Sequence, residues 1–113
     1  MLRRYKLYLE DILASADSVQ SYVGSLSYEE LIEDKMRVDA VIRNPEIIGE
    51  AAGKVPQDVR ERYPAIEWRK ISDFRNILVH EYFQIDTEIL WDIVKNRIPD
   101  LRRQIDSIIT KEE

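Results

Sequence analysis

Apolar residues recur at steps of three and four from the start of the chain: Leu2, Tyr5, Leu9, Ile12, Leu13, Ala16, Val19 and Val23. That spacing predicts a helix with one buried stripe, ended at Gly24-Ser25. Ser27-Tyr28-Glu29-Glu30 has the form of a capping box, with Ser27 at the N-cap and Glu30 three residues on. A second helix should follow, carrying Leu31, Val38, Val41, Ile42, Ile48 and Ala52 on one side. Pro45 lies inside it, lacks a backbone donor and crowds the carbonyl of Val41, so a kink or break is expected at Asn44. Gly49 and Gly53 share a face on which another helix could come close, although the plainer reading makes Gly53 a C-cap.

Pro56 can open a short helix reaching Arg60 or Arg62, and Pro64 prevents its continuation. From about Ile66 the pattern becomes helical again, with Trp68, Ile71, Phe74, Leu78, Val79 and Tyr82 on one face. Asp86 is placed to cap the last helical segment. That segment holds Ile89, Leu90, Ile93 and Val94, then Ile98, Leu101, Ile105 and Ile108, a spacing suited to a bundle seam. Pro99 should bend it, and Thr110 to Glu113 should fray. The sum is all-α: an up-and-down four-helix bundle with an extra short helix, some helices broken by proline, in one domain spanning residues 1–113.

Composition supports this architecture. Of 113 residues, 44% are hydrophobic and 35% charged, which fits a globular chain rather than a disordered one. Three glycines and four prolines are few, as a helical protein requires. With no cysteine, disulfides and zinc–thiolate sites are excluded, and the cytoplasm is the expected compartment. No apolar run is long enough for a bilayer, and no signal sequence is apparent, so no membrane role is expected. The net charge of −5 argues against a general nucleic-acid coat protein but allows a local basic cleft.

Candidate chemistry concentrates in Phe74-Arg75-Asn76-Ile77-Leu78-Val79-His80-Glu81-Tyr82, which contains the single histidine. Histidine alone has an unperturbed pKa near neutrality, so His80 is the first candidate for proton transfer. On an ideal helix, at about 100° per residue, Arg75 falls on the apolar face near Trp68, Val79 and Tyr82. Asn76 and His80 share another face with Arg69 and Asp73. Arg75 and His80 are then about 140° apart. Either the helix unwinds near His80, or two chains supply the groups jointly, and a homodimer with these residues along its seam is the favoured arrangement. The residues alone also allow plainer roles: His80 as a surface or capping residue, Tyr82 as core, and Arg75 paired with Glu50 or Glu67.

Arg75, four residues, His80, one residue and Tyr82 together resemble the R-x4-H-x-Y motif of HepT-like proteins in the HEPN superfamily. Asn76 fits the polar position after the arginine. Ile48-Gly49-Glu50-Ala51, Pro64-Ala65-Ile66-Glu67-Trp68-Arg69, Trp91-Asp92-Ile93-Val94 and Ile98-Pro99-Asp100-Leu101 resemble further family segments, in order and over most of the chain. The resemblance implies a HEPN-like bundle that dimerises with both motifs at the cleft. It implies a metal-independent endoribonuclease, without cofactor, acting as the toxin of a type VII-like toxin–antitoxin pair. The implied partner is an MNT-type nucleotidyltransferase antitoxin that AMPylates Tyr82 and so blocks RNA entry.

Under that resemblance Arg75, His80 and Asn76 are the catalytic candidates, and Glu50, Arg43 and Arg69 the supporting cleft. Metal-free cleavage can use the RNA 2′-OH as nucleophile, with two His80 side chains sharing acid and base roles. Arg75 can bridge phosphate oxygens, while Asn76 orients the phosphate or the imidazole. RNA also needs cations, and Arg37, Arg43, Arg69, Lys70 and Arg75 are those available to line a cleft. The alternative is a non-catalytic nucleotide-binding or scaffolding subunit of a nucleotidyltransferase complex, in which Arg75 and His80 grip a nucleotide phosphate or the partner.

Overall fold

The computed structural model describes residues 2–74, 76 and 86–112, with the side chains of Leu2 and Arg3 excepted. Arg75, His80 and Tyr82 therefore lie outside the described residues. Everything described is helix or short connection, an all-α HEPN-like bundle as expected. Helix α1 (Leu2–Val23) is the axis of the fold. It packs on α3 (Lys35–Gly53) and on α7 (Ile98–Glu112). Its predicted stripe is buried: Tyr5, Leu9, Ile12, Ala16, Val19 and Val23 meet Val41, Ile48, Ile98, Leu101, Ile105 and Ile108 in one core. Gly24 ends α1 with φ 52°, a left-handed conformation that glycine adopts without a Cβ penalty.

The second predicted helix is divided, but not where proline suggested. The Ser27–Glu30 capping box forms, with bonds of 2.9 and 3.1 Å, and starts α2 (Tyr28–Glu33). Asp34 then ends α2 and begins α3: its own N–H donates to the Leu31 carbonyl, and its carboxylate accepts the Arg37 N–H at 3.1 Å. Helix α3 continues through Pro45, so the break expected at Asn44 is absent. Proline deprives the Val41 carbonyl of its usual donor. The neighbouring Asn44 amide donates to the Ala40 carbonyl at 3.0 Å, and both Asn44 and Pro45 are buried on the packed face. Tertiary packing thus outweighs the local penalty, and the short polar Asp34 sets the boundary.

The end of α3 also differs from expectation. Gly53 is its last residue, but no left-handed cap follows, and Lys54 at φ −92° closes the helix. A side chain supplies the remaining donors. Arg60, on the predicted short helix α4 (Gln57–Arg62), donates to the carbonyls of Ala52, Gly53 and Val55 at 3.2, 2.7 and 2.8 Å. A guanidinium is suited to this because its donors fan out in one plane and complement the negative helix end.

Gly49 has the role anticipated for a close helix contact. A Cβ built there would lie 3.0 Å from the carbonyl oxygens of both Ile71 and Ser72, in α5 (Trp68–Ser72). At Gly53 the nearest atom is the Ser72 hydroxyl, at 3.8 Å. Only the first position therefore demands glycine for space.

Asp86 caps α6 (Thr87–Asp92) as expected, accepting from the N–H groups of Glu88 and Ile89 at 3.1 and 3.0 Å. Between α6 and α7 the chain makes a π-helical turn, Ile93–Arg97, in which the Ile98 N–H reaches the Ile93 carbonyl. This wider turn receives the predicted disturbance from Pro99, whose ring would crowd a carbonyl four residues earlier in a regular helix. Thr110 to Glu112 are helical rather than frayed, and Glu113 lies outside the described residues. Helix α7 runs to Glu112, whose carboxylate accepts from Tyr5, from Tyr63 at 2.6 Å and from Arg62 at 3.0 Å.

Hydrogen bonds from Tyr5 and then Tyr63 hold the Glu112 carboxyl below its ordinary pKa. A folded-state value below the unfolded one stabilises above the unfolded carboxyl range, and that contribution disappears as pH falls through the folded value. Glu112→Gln should therefore cost about 1 kcal/mol at pH 7, with the deficit closing below about pH 4. Urea unfolding at pH 7 and pH 3 checks this, and an equal deficit at both would contradict it. Gly49→Val should destabilise by about 1–3 kcal/mol through forced backbone displacement. Gly53→Ala should be neutral or stabilising by up to about 1 kcal/mol through helix propensity. Equal effects at the two glycines would contradict the close-contact account.

Candidate active site

Structure approaches the motif from two sides. On the first, Trp68 and Ile71 bury one face of α5, and the Trp68 indole donates to the Tyr63 carbonyl at 3.1 Å. Phe74, directly before Arg75, is 2% exposed and joins the core. Asn76 is helical and exposed. On the second side, the Tyr28 and Thr87 hydroxyls are 2.8 Å apart, which ties the first residue of α6 to α2. The predicted apolar face is thus realised at Trp68, Ile71 and Phe74, and Asn76 keeps an exposed polar side chain beside it. Leu78, Val79, His80 and Tyr82 fall outside the described residues, as does any seam between two chains.

The three supporting residues occupy two helices joined at Gly49. Arg43 and Glu50 are seven apart on α3, close to two full turns, and so share a face. Both are exposed. Glu50 faces Lys54 across 3.6 Å, an exposed pair of small energetic weight. Arg69 is exposed on α5, close in sequence to the carbonyls that meet Gly49. Neither Arg43 nor Arg69 makes an ion pair among the described residues. These guanidinium groups are consequently available to an anionic ligand.

Two other cations proposed for the cleft, Arg37 and Lys70, have partners of their own. Arg37 donates to the Tyr22 carbonyl near the end of α1 and to the Asp34 carboxylate at 3.2 Å. The Arg37 backbone N–H, and then its side chain, hold the Asp34 pKa below the usual carboxylate value. Arg37 therefore joins α1 to α3 and leaves the list of cleft cations. Lys70 faces Glu67 at 3.1 Å. Glu67 also meets Arg97 at 3.6 Å, and Arg97 meets Asp92 at 3.3 Å. Asn96 donates to Asp92 at 2.8 Å, and this bond, followed by that from Arg97, lowers the Asp92 pKa.

These pairs line a groove of about 540 Å³ between α5 and the π-turn–α7 segment, with Phe74, Ile71 and Leu101 on its apolar side. Its lysine and arginines largely face its own carboxylates, so it adds little net attraction for phosphate. Periodicity did not reveal this network, because Glu67 is distant in sequence from Asp92 and Arg97 and each reads as an ordinary exposed charge. Among the described residues, no group of three or more acidic or histidine side chains is arranged to hold a metal ion. Among the same residues, no helix is long and apolar enough to cross a membrane.

Comparison with known proteins agrees with the residue pattern. The HepT-like family model, described as ribonuclease HepT-like, matches residues 12–108. A Methanocaldococcus jannaschii protein named as a candidate RNase is 42% identical over 106 residues, covering 94% of this chain and 97% of its own. A Thermococcus cleftensis protein named Probable ribonuclease HepT is 37% identical over 108 residues, covering 96% and 98%. A candidate RNase of Caldanaerobacter subterraneus is 35% identical over 106 residues, covering 94% and 95%. No solved structure gives a significant match. The family match and these near full-length relatives, together with the ordered motif, show that the chain belongs to the HepT-like ribonuclease family.

Proposed function

We propose that this protein is a metal-independent endoribonuclease, the toxin of a HEPN/MNT toxin–antitoxin pair. The observation that carries the reading is the family match over residues 12–108, within which the sequence keeps Arg75, His80 and Tyr82 at motif spacing. Arg43 and Arg69, exposed on two helices in backbone contact at Gly49, support it by offering cations without an ion pair among the described residues.

In this mechanism a homodimer brings two motifs to one cleft in the cytoplasm. One His80 takes the proton of an RNA 2′-OH, whose oxygen attacks the adjacent phosphorus. The other His80 returns a proton to the departing 5′ oxygen. Arg75 neutralises charge on the phosphorane through paired N–H donors, and Asn76 orients a phosphate oxygen or an imidazole. Arg43 and Arg69 hold flanking phosphates, and Glu50 limits how RNA enters along α3. An MNT-type nucleotidyltransferase antitoxin would transfer AMP to Tyr82, adding bulk and negative charge at the cleft.

Purified protein treated with EDTA should cleave single-stranded RNA. His80→Ala should lower the rate by about 100-fold or more, the scale of a general acid–base contribution. Its far-ultraviolet circular dichroism and unfolding midpoint should remain those of the wild type. Folded wild-type protein that leaves RNA intact, or a His80→Ala variant as active as wild type, would contradict the proposal. Incubation with the partner nucleotidyltransferase and ATP should add one AMP to Tyr82, read by mass spectrometry. Modification elsewhere, or none, would contradict the assigned regulation.

A further inference from the structure

Where α2 meets α6 and the π turn, the chain carries an aromatic and cationic cluster that the mechanism above does not use. Trp91, on α6, is half-buried, and the Tyr28 ring meets it nearly edge-on, with centroids 5.7 Å apart and planes at 72°. The Lys95 ammonium lies 5.2 Å from the Trp91 ring centroid, and Lys95 itself is exposed. The Tyr28 hydroxyl pairs with Thr87, five residues after Tyr82 in sequence. The cluster therefore stands along α6, which follows the motif in sequence.

Trp91 packs in part against the core and is only half-buried. Over the ring lies an ammonium on a flexible four-carbon stem, which can move to a better anion at little cost. Tyr28 fixes the indole from the side, so the ring plane is held in advance. A π face beside a movable cation matches one nucleotide: the base stacks on the ring, and the phosphate takes the ammonium. The groove between α5 and α7 is less suitable, because its cations face its own carboxylates.

We infer that Trp91, braced by Tyr28 and paired with Lys95, is a stacking subsite for an unpaired RNA base flanking the cleavage position. The inference rests on the ribonuclease reading and adds where a flanking nucleotide binds. Stacking of this kind tolerates any base and favours single strands.

The two tryptophans make it measurable. Trp68 is buried, whereas Trp91 would touch the ligand. Binding of a 2′-O-methylated single-stranded oligonucleotide, which lacks the nucleophile, should quench tryptophan fluorescence in the wild type and in Trp68→Phe. In Trp91→Phe the quench should vanish while affinity, read by anisotropy of a labelled oligonucleotide, stays within about threefold, since an aromatic face remains. Trp91→Ala should weaken binding by about tenfold or more, and the exposed Lys95→Ala should weaken it about threefold with a shallower salt dependence. Oligonucleotide binding without a quench, or unchanged affinity in both Trp91→Ala and Lys95→Ala, would overturn the subsite while leaving RNA cleavage by the wild type intact. Loss of nucleotidyltransferase binding instead of RNA binding would also overturn it, giving the surface to the protein partner. Wild type that neither binds this oligonucleotide nor cleaves RNA would remove the ribonuclease reading as well.

Discussion

Backbone contact between α3 and α5 at Gly49 sets the position of α5, the helix that precedes the motif in sequence. Two carbonyl oxygens occupy the space of a missing Cβ, so α5 has little freedom to slide along α3. The contact requires α3 to persist as one helix well past Pro45. That persistence depends on its ends. Asp34 supplies donor satisfaction at the first turn, and Arg60 binds carbonyls at the last. Phe74 then extends the anchoring beyond α5 into the core, immediately before Arg75.

An independent set of bonds holds the other boundary. Asp86 caps α6, and Tyr28 fixes Thr87 from α2. The π turn absorbs Pro99 and lets α7 continue along α1 to Glu112, where Tyr5, Arg62 and Tyr63 converge. The interval that carries His80 and Tyr82 thus has a packed aromatic before it and a capped helix after it. Fixed boundaries of this kind suit a site whose groups must be positioned by a rigid scaffold.

Much of the fold was legible because it rests on local physics. Three-and-four spacing found α1 at its actual limits, and the Ser27 and Asp86 caps are short-range signals that nothing competes with. Asp34 was missed because the stronger local signal, Pro45, drew the break to itself. Whether proline interrupts a helix depends on the packing around it, and that involves residues distant in sequence. Glu112 was misread for the same reason: its partners Tyr5, Arg62 and Tyr63 come from α1 and the α4 region, so a tail that looked polar and free is bound. Arg43 and Arg69 were identifiable as candidate cations, and the structure finds them exposed, but the diversion of Arg37 to Tyr22 and Asp34 could not be read from the sequence. The chemistry of histidine made His80 a candidate, but the proposed catalytic roles of Arg75, Asn76 and His80 rest on the family resemblance, since a lone histidine has several commoner uses.

The central claim is that this scaffold presents the motif to a phosphodiester whose own 2′-OH acts as nucleophile. Its most direct measurement compares two otherwise identical single-stranded oligonucleotides in excess EDTA, one all-RNA and one with a single 2′-deoxy substitution at the cleaved position. The account predicts scission of the first with a 2′,3′-cyclic phosphate on the upstream product, and no scission at the substituted position. Equal cleavage of both would contradict it.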